Sequence, residues 1–273
     1  MKQFIYILLG LVLSVSGYSA NFTPMKAGIP VVEDGEMLKY SDYISGEKTA
    51  ELYLVYKKES LSGWGDVIKV YEFINSMNKP RKLPLKLSEF EGYYIVSLKN
   101  ASLVEEYRNF SNRITSDNLK GPYQHFYQMN ADQKQIDYSQ KIWDGYESRD
   151  TKSRIKIKPD YPVWDGNSIA FLGSRYLDLS SEGMAYLVEP SILKDPIPFT
   201  VKIFAHETVT TPVLGKFPAK KYGALISDPF IGKLINSMMS ETFMWVEDSP
   251  RKLVVKTQNY TGETLYLESI STF

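Results

Sequence analysis

The sequence predicts a mainly β fold of the α+β kind: a large curved antiparallel sheet or half-barrel with a few short helices. Three observations carry this. From Gly35 onward, short runs of alternating apolar and polar residues are punctuated by turn residues, the pattern of half-buried antiparallel strands. The chain holds 20 Tyr and 13 Phe, residues whose rings pack well on a pleated surface. The final strands are joined by tight turns and read as a meander.

The chain opens with Lys2 and an apolar run from Phe4 to Val15, interrupted only by Gly10 and Ser14. That run is shorter than the roughly 18 residues a membrane-crossing helix needs, and small residues follow it, so residues 1–20 are expected to be a signal peptide. The protein is therefore expected to be periplasmic or otherwise extracytoplasmic. With no cysteine in the chain, a domain outside the cytoplasm has no disulfide and must be held by its core. Residues 21–273 are long enough to do so as one β-rich domain, with a sub-boundary or long crossover near 159–167, where prolines, aspartates and a glycine cluster.

After an irregular lead, Leu38–Ile44, a turn at Ser45, Gly46 and Glu47, and Thr49–Tyr56 form a hairpin whose second strand directs Leu52, Leu54 and Tyr56 to one face. Val67–Phe73, Leu83–Leu87 and Tyr93–Leu98 continue the strand pattern, with Pro80 and Pro84 limiting ladder pairing. Ser102 and Glu105 form a capping-box pattern, and Leu103, Tyr107, Phe110 and Ile114 recur at helical spacing. A helix lying across the sheet is expected there. Strands are expected again at Ile136–Tyr146 and Ser153–Lys158, then a short helix over Ser168–Leu177. Further strands follow at Met184–Val188, Phe199–Ala205, Lys221–Ile226, Thr242–Glu247, Leu253–Thr257 and Thr264–Ser269. Asp228 and Pro229 announce another helix, with Ile231, Leu234, Ile235 and Met238 on its apolar face.

Charge is balanced, 32 basic against 32 acidic residues, and this disfavours a nucleic-acid partner. The two histidines, His125 and His206, are too few for a zinc site without a carboxylate set, and neighbours such as His206 and Glu207 point to opposite faces of a strand. No metal or cofactor is expected. Gly63-Trp64-Gly65 is too short for a phosphate loop, Gly232-Lys233 lacks the rest of one, and no nucleophile elbow is present. Carboxylate pairs such as Asp144 with Glu147, or Glu247 with Asp248, arise freely in so acid-rich a chain. The balance favours a protein that is not an enzyme.

The sharpest local pattern is Lys152, Arg154, Lys156 and Lys158 alternating with Ser153, Ile155 and Ile157, which gives a strand one basic face. Such a face suits an anionic headgroup. It suits better still a solvated or edge strand protected from sticking by its charges. Trp245, in a strand rich in large residues, is the candidate aromatic contact for a hydrophobic ligand.

From Tyr161-Pro162-Val163 through Tyr176-Leu177-Asp178-Leu179, the turn at Thr210–Phe217, Asp228-Pro229-Phe230, the strand Met244-Trp245-Val246 and the turn Asp248–Arg251, the chain resembles a bacterial family of exported proteins known as a domain of unknown function. It departs from the family's Pro-Ala-Gly turn, carrying Pro212-Val213-Leu214-Gly215 instead. The resemblance implies a β-rich domain, similar to the half-barrel carriers that hold acyl chains in lipoprotein localisation, and supplies no catalytic residue. Binding of a lipid or other hydrophobic cell-envelope component is expected. The alternative is an envelope protein-protein interaction or assembly domain with a filled core.

Overall fold

A computed structural model describes residues 24–26, 28, 30–110, 123–130, 135–143, 148–156, 162–165, 168–179, 183–187, 196–226, 242–259 and 262–273. The expected leader, the helix from Asp228 and Lys158 lie outside the described residues.

The fold is mainly β, as the alternation predicts, and its described strands join into one 15-stranded sheet. The first half of the chain is a meander: β1 (Glu36–Ile44), β2 (Glu47–Leu61), β3 (Gly65–Ser76), β4 (Gly92–Ser97), β5 (Ser102–Phe110), β6 (Tyr123–Asn130), β7 (Gln135–Trp143) and β8 (Ser148–Lys156). The second half supplies β9 (Val163–Trp164), β10 (Ala185–Leu187), β11 (Ile197–Thr211), β12 (Gly215–Ile226), β13 (Phe243–Glu247), β14 (Val254–Gln258) and β15 (Thr264–Thr272). The last strand pairs antiparallel with the first, so the two halves meet side by side at β1 and β15, while β8 and β9 form the two edges. All pairings are antiparallel except β9 with β10.

The sheet is strongly curved. Ten strands separate β5 from β9 in the sheet order, yet the backbone amide of Val163 donates to Ser102 Oγ at 3.1 Å. Curvature has brought one edge round to face the middle of the other half. Bulges between Lys39 and Tyr40, Ile95 and Val96, Ile203 and Ala205, and Trp245 and Val246 are the local devices that bend strands in this way. The β1–β2 turn is tight because Ser45 and Gly46 both take positive φ, at 53° and 84°, the geometry that matches strand twist in a two-residue hairpin.

Inside the curve runs a helical segment, Ile169–Gly173 wound as a π-helix and continuing into the α-helical turn Ser174–Tyr176. This is the short helix expected over Ser168–Leu177. Its ring and aliphatic groups pack on the inner face of β1 and β2: Phe171 lies 5.0 Å from Tyr40 between ring centroids, and Tyr56 donates its hydroxyl to the Phe171 carbonyl at 3.1 Å. Tyr176 donates to the Leu98 carbonyl. Arg175 holds the Glu36 carboxylate at 2.9 Å and stacks over the Tyr56 ring. The lead strand closes over the segment, with Met25 N–H donating to the Met184 carbonyl and Gly28 N–H to that of Tyr176. Gly183 permits this approach, since a Cβ there would stand 2.4 Å from Met25 Cα.

Two expectations are corrected. Ser102–Phe110 is a strand, not a helix. Its inward positions are Glu106 and Arg108, which pair in register with Tyr94 and Gly92. Because charged groups stand where alternation would show apolar ones, the strand period is hidden and a helical spacing emerges by coincidence. On its outer face, Glu105 accepts from Tyr93 at 2.6 Å and Tyr107 packs on the Tyr93 ring. The other correction is Leu83–Leu87, which is not a strand: Pro80 and Pro84 deprive it of ladder donors, Leu85 is 90% exposed, and a 3₁₀ turn follows at Leu87–Glu89.

Candidate functional site

The helical segment fills only part of the concavity. Where it packs on β1 and β2 the interior is closed, with Tyr40, Tyr56, Tyr94, Trp164 and Leu172 essentially without solvent contact. Beyond it, between the inner faces of β1–β3 and β11–β15, a cleft of about 470 Å³ remains open. That volume lies in the roughly 300–1,000 Å³ range of small-molecule sites. Its walls are apolar: Ala50, Leu52 and Ile74 on one side, Val201, Ala224, Ile226, Met244 and Leu265 on the other, with Ile169, Ala170 and Phe171 of the helical segment as the partition. Small side chains at Ala50, Ala170 and Ala224 keep the opposing walls apart.

Polar groups mark the two ends. At the inner end Glu72 and Arg108 reach the cleft and belong to a buried cluster. Arg108 Nε lies 2.7 Å from Glu72 Oε2, its Nη1 sits against Glu106 and is 3.7 Å from Asp165 Oδ2. Burial, outweighing the pull of Arg108, raises the Glu106 carboxyl well above its ordinary value. Burial also opposes ionisation of Asp165, but Arg108 and the hydrogen bonds from Ser168 outweigh it and hold that carboxyl below its ordinary value. The cluster thus closes on itself around one guanidinium.

At the outer end stand Asp42, on the inward stripe of β1 with Leu38 and Tyr40, and Glu263, in the turn before β15. Asp42 is opposite Ala50 of β2 and Leu265 of β15. Thr49 Oγ1 donates to its Oδ2 at 2.8 Å, whereas its buried Oδ1 receives no hydrogen bond among the described residues. Burial is the main cause that raises this carboxyl to about 6, with the neighbouring Glu263 adding to it and Thr49 opposing it. Glu263 accepts from Asn259 Nδ2 at 2.6 Å. Glu51, also at the cleft, is compensated: burial opposes its charge, but Lys39, Lys48 and Tyr53 hold it down at about 2.

The residues singled out by sequence lie elsewhere. Lys152 and Arg154 are exposed on β8, the edge of the sheet, and Arg154 pairs with Asp137 of β7 at 2.8 Å. Lys156 ends the same strand. Trp245 is buried, donates its indole N–H to Glu207, and is covered by Lys221 and Lys256 with ammonium-to-ring distances of 5.1 and 4.2 Å. Among the described residues none of these lines the cleft. His206 is exposed on β11, and nine strands of the sheet order separate it from β6, which carries His125. Glu247 pairs with Arg251 and Asp248 with Lys220, so this carboxylate pair is divided between two cations. Asp144 and Glu147 lie outside the described residues.

Sequence reading missed Asp42 and Glu263 as site residues. Asp42 carried a signal, a carboxylate on the apolar stripe Leu38, Tyr40, Asp42; Glu263 carried none, because acids are ordinary in turns.

No family model and no curated protein matches the chain. Among solved structures it is similar to a Bacteroides fragilis protein described as exported and as having a YmcC-like fold, at 12% identity and a TM-score of 0.33, over 92% of this chain and 99% of that one. It is also similar to a Parabacteroides distasonis protein described as a lipoprotein, at 14% identity and a TM-score of 0.29, over 93% of this chain and all of that one. Likeness at this level assigns neither ligand nor activity.

Proposed function

We propose that the protein is a non-enzymatic extracytoplasmic binding protein that holds a lipid or other hydrophobic component of the cell envelope in the open half of its curved sheet. The observation that carries this reading is the cleft of about 470 Å³, lined mainly by apolar side chains, with Glu72, Arg108, Asp42 and Glu263 among its polar groups. Apolar walls supply affinity at about 25 cal/mol per Å² of ligand and protein surface removed from water, and the polar ends fix orientation. The leader-like residues 1–20 support an extracytoplasmic setting for such a ligand.

A second reading is an envelope assembly domain that binds protein and not lipid. It is favoured by the plugged half of the concavity and by exposed apolar side chains on β11 and the turn after it, Phe204 and Val213.

Native mass spectrometry of the protein purified from its own envelope fraction, followed by organic extraction, separates the two. The binding reading expects a stoichiometric lipid mass that disappears in Ala224→Glu and Met244→Glu, each checked for an unchanged β circular-dichroism spectrum. A bare protein mass from gentle purification, with no lipid in the extract, overturns it in favour of assembly.

A further inference from the structure

The chemistry of the cleft's polar end narrows its ligand, and the inference rests on the binding function proposed above. The charged residues lining the cleft are four acids, Asp42, Glu51, Glu72 and Glu263, and one base, Arg108. Glu72 is held by Arg108, and Glu51 by Lys39 and Lys48. Asp42 and Glu263 remain. Both stand at the outer end, and the charged group facing Asp42 across the β1–β15 pairing is Glu263 itself, a like charge.

Asp42 is 5% exposed, directed with Leu38 and Tyr40 into the apolar interior, and its Oδ1 takes no hydrogen bond among the described residues. A buried acceptor left in this state is destabilising, and a donor delivered by a ligand would relieve it. An ammonium group brings three donors and a positive charge, and its hydrogen bonds to carboxylates are of the strong, charge-assisted kind. A phosphate or carboxylate head would instead meet two carboxylates and present no donor to Oδ1.

We infer that the cleft binds an amphiphile whose polar end is an amine, with the alkyl part between Leu52, Ile74, Val201 and Ala224 and the ammonium group seated on Asp42 beside Glu263. The anionic headgroup that suits the basic strand finds no counterpart here, since Lys152 and Arg154 lie on the sheet edge.

The test compares an alkylamine, an alkanol and an alkanoate of one chain length, each below its micelle-forming concentration, by isothermal titration calorimetry at pH 7.5. The amine is expected to bind at least about tenfold more tightly than the alkanol, a 1.4 kcal/mol difference, and the alkanoate more weakly than either. Asp42→Asn should bring the amine down to the alkanol's affinity while the alkanol still binds, which shows that the cleft is intact. Glu263→Gln should lower the amine preference by a smaller factor. Because Asp42 takes up a proton near pH 6, the preference of the native protein should also fade on acidification through that value. If amine and alkanol bind equally, or the alkanoate binds best, the headgroup inference is overturned and the apolar cleft stands. If none of the three binds, the binding function falls with it.

Discussion

The two halves of the concavity are built from the same sheet and differ in what faces them. Where the helical segment lies on β1 and β2, large rings fill the space and the buried charges are held in the Arg108 cluster and the Arg175–Glu36 pair. Across the partition, the inner positions are Ala50, Leu52, Ala224 and Ile226, with nothing from the helical segment reaching between them except Ile169, Ala170 and Phe171 at its edge. Curvature alone therefore does not decide between a solid core and a cavity. The decision lies in how far one inserted segment extends and in side-chain volume opposite the place where it stops.

The closed half depends on a charge, and removing it should give the largest effect. Arg108→Met keeps an apolar stem but leaves Glu72 and Asp165 buried without their cation. Breaking a buried pair from one side costs about 3–5 kcal/mol. Urea unfolding at pH 7.5 should show a loss of that size. The deficit should shrink in acid, because Asp165, whose carboxyl Arg108 helps hold below its ordinary value in the native protein, can then fold in the neutral form. A loss below about 1 kcal/mol at pH 7.5 would mean that the closed half is held by its rings and that the cluster is incidental.

The open half should show the opposite response at its own buried acid. In the folded protein Asp42 titrates at about 6, above its ordinary 3.8, so the folded state holds the proton more tightly than the unfolded chain. Its neutral form supports the fold fully below pH 3.8, and that support is lost as pH rises through 6. Asp42→Asn, neutral throughout, should therefore stabilise the protein at pH 8 by about 1–2 kcal/mol, after allowance for solvent screening at the cleft mouth. The two proteins should unfold alike below pH 4. Thermal melts across pH 3–8 measure this, and a variant that is less stable at pH 8 would show that the carboxylate is satisfied in the free protein.

The contrast also explains what the sequence could disclose. Several strands with apolar inner faces were legible: Leu52, Leu54 and Tyr56 share the inner side of β2 as alternation requires, and the turns at Ser45 and Gly46, and between β13 and β14, fall where turn chemistry puts them; β6, with Tyr127 and Met129 buried, was not expected. β5 was not legible, because Glu106 and Arg108 occupy its inner face and only partners from β3 and β9's end, Glu72 and Asp165, make them acceptable there. Those partners are distant in sequence, so the strand looked helical. The cleft was illegible for a related reason. Ala50 and Ala224 both line it through the curvature of the whole sheet, and no local pattern records which small residues will share one cleft. Asp42 left a trace on an apolar stripe, whereas the basic run at 152–158 gave a strong pattern whose described part, on β8, lies at the edge of the sheet.

That edge offers the smallest expected effect on stability and the cleanest separation of surface from interior. Arg154 and Asp137 are 69% and 49% exposed in their side chains, and a pair so open to water contributes between about 0 and 1 kcal/mol. Lys152→Thr with Arg154→Thr keeps strand-forming residues and should change unfolding free energy by no more than about 0.5 kcal/mol. What should change is association. Among the described residues β8 has no strand on its outer side, and charges on such an edge oppose edge-to-edge pairing between molecules. Sedimentation velocity at increasing concentration should show the double variant forming oligomers where the native protein remains monomeric. If the variant stays monomeric yet loses an envelope lipid that the native protein retains, the basic strand is a second contact for the ligand, and binding extends from the cleft to the sheet edge.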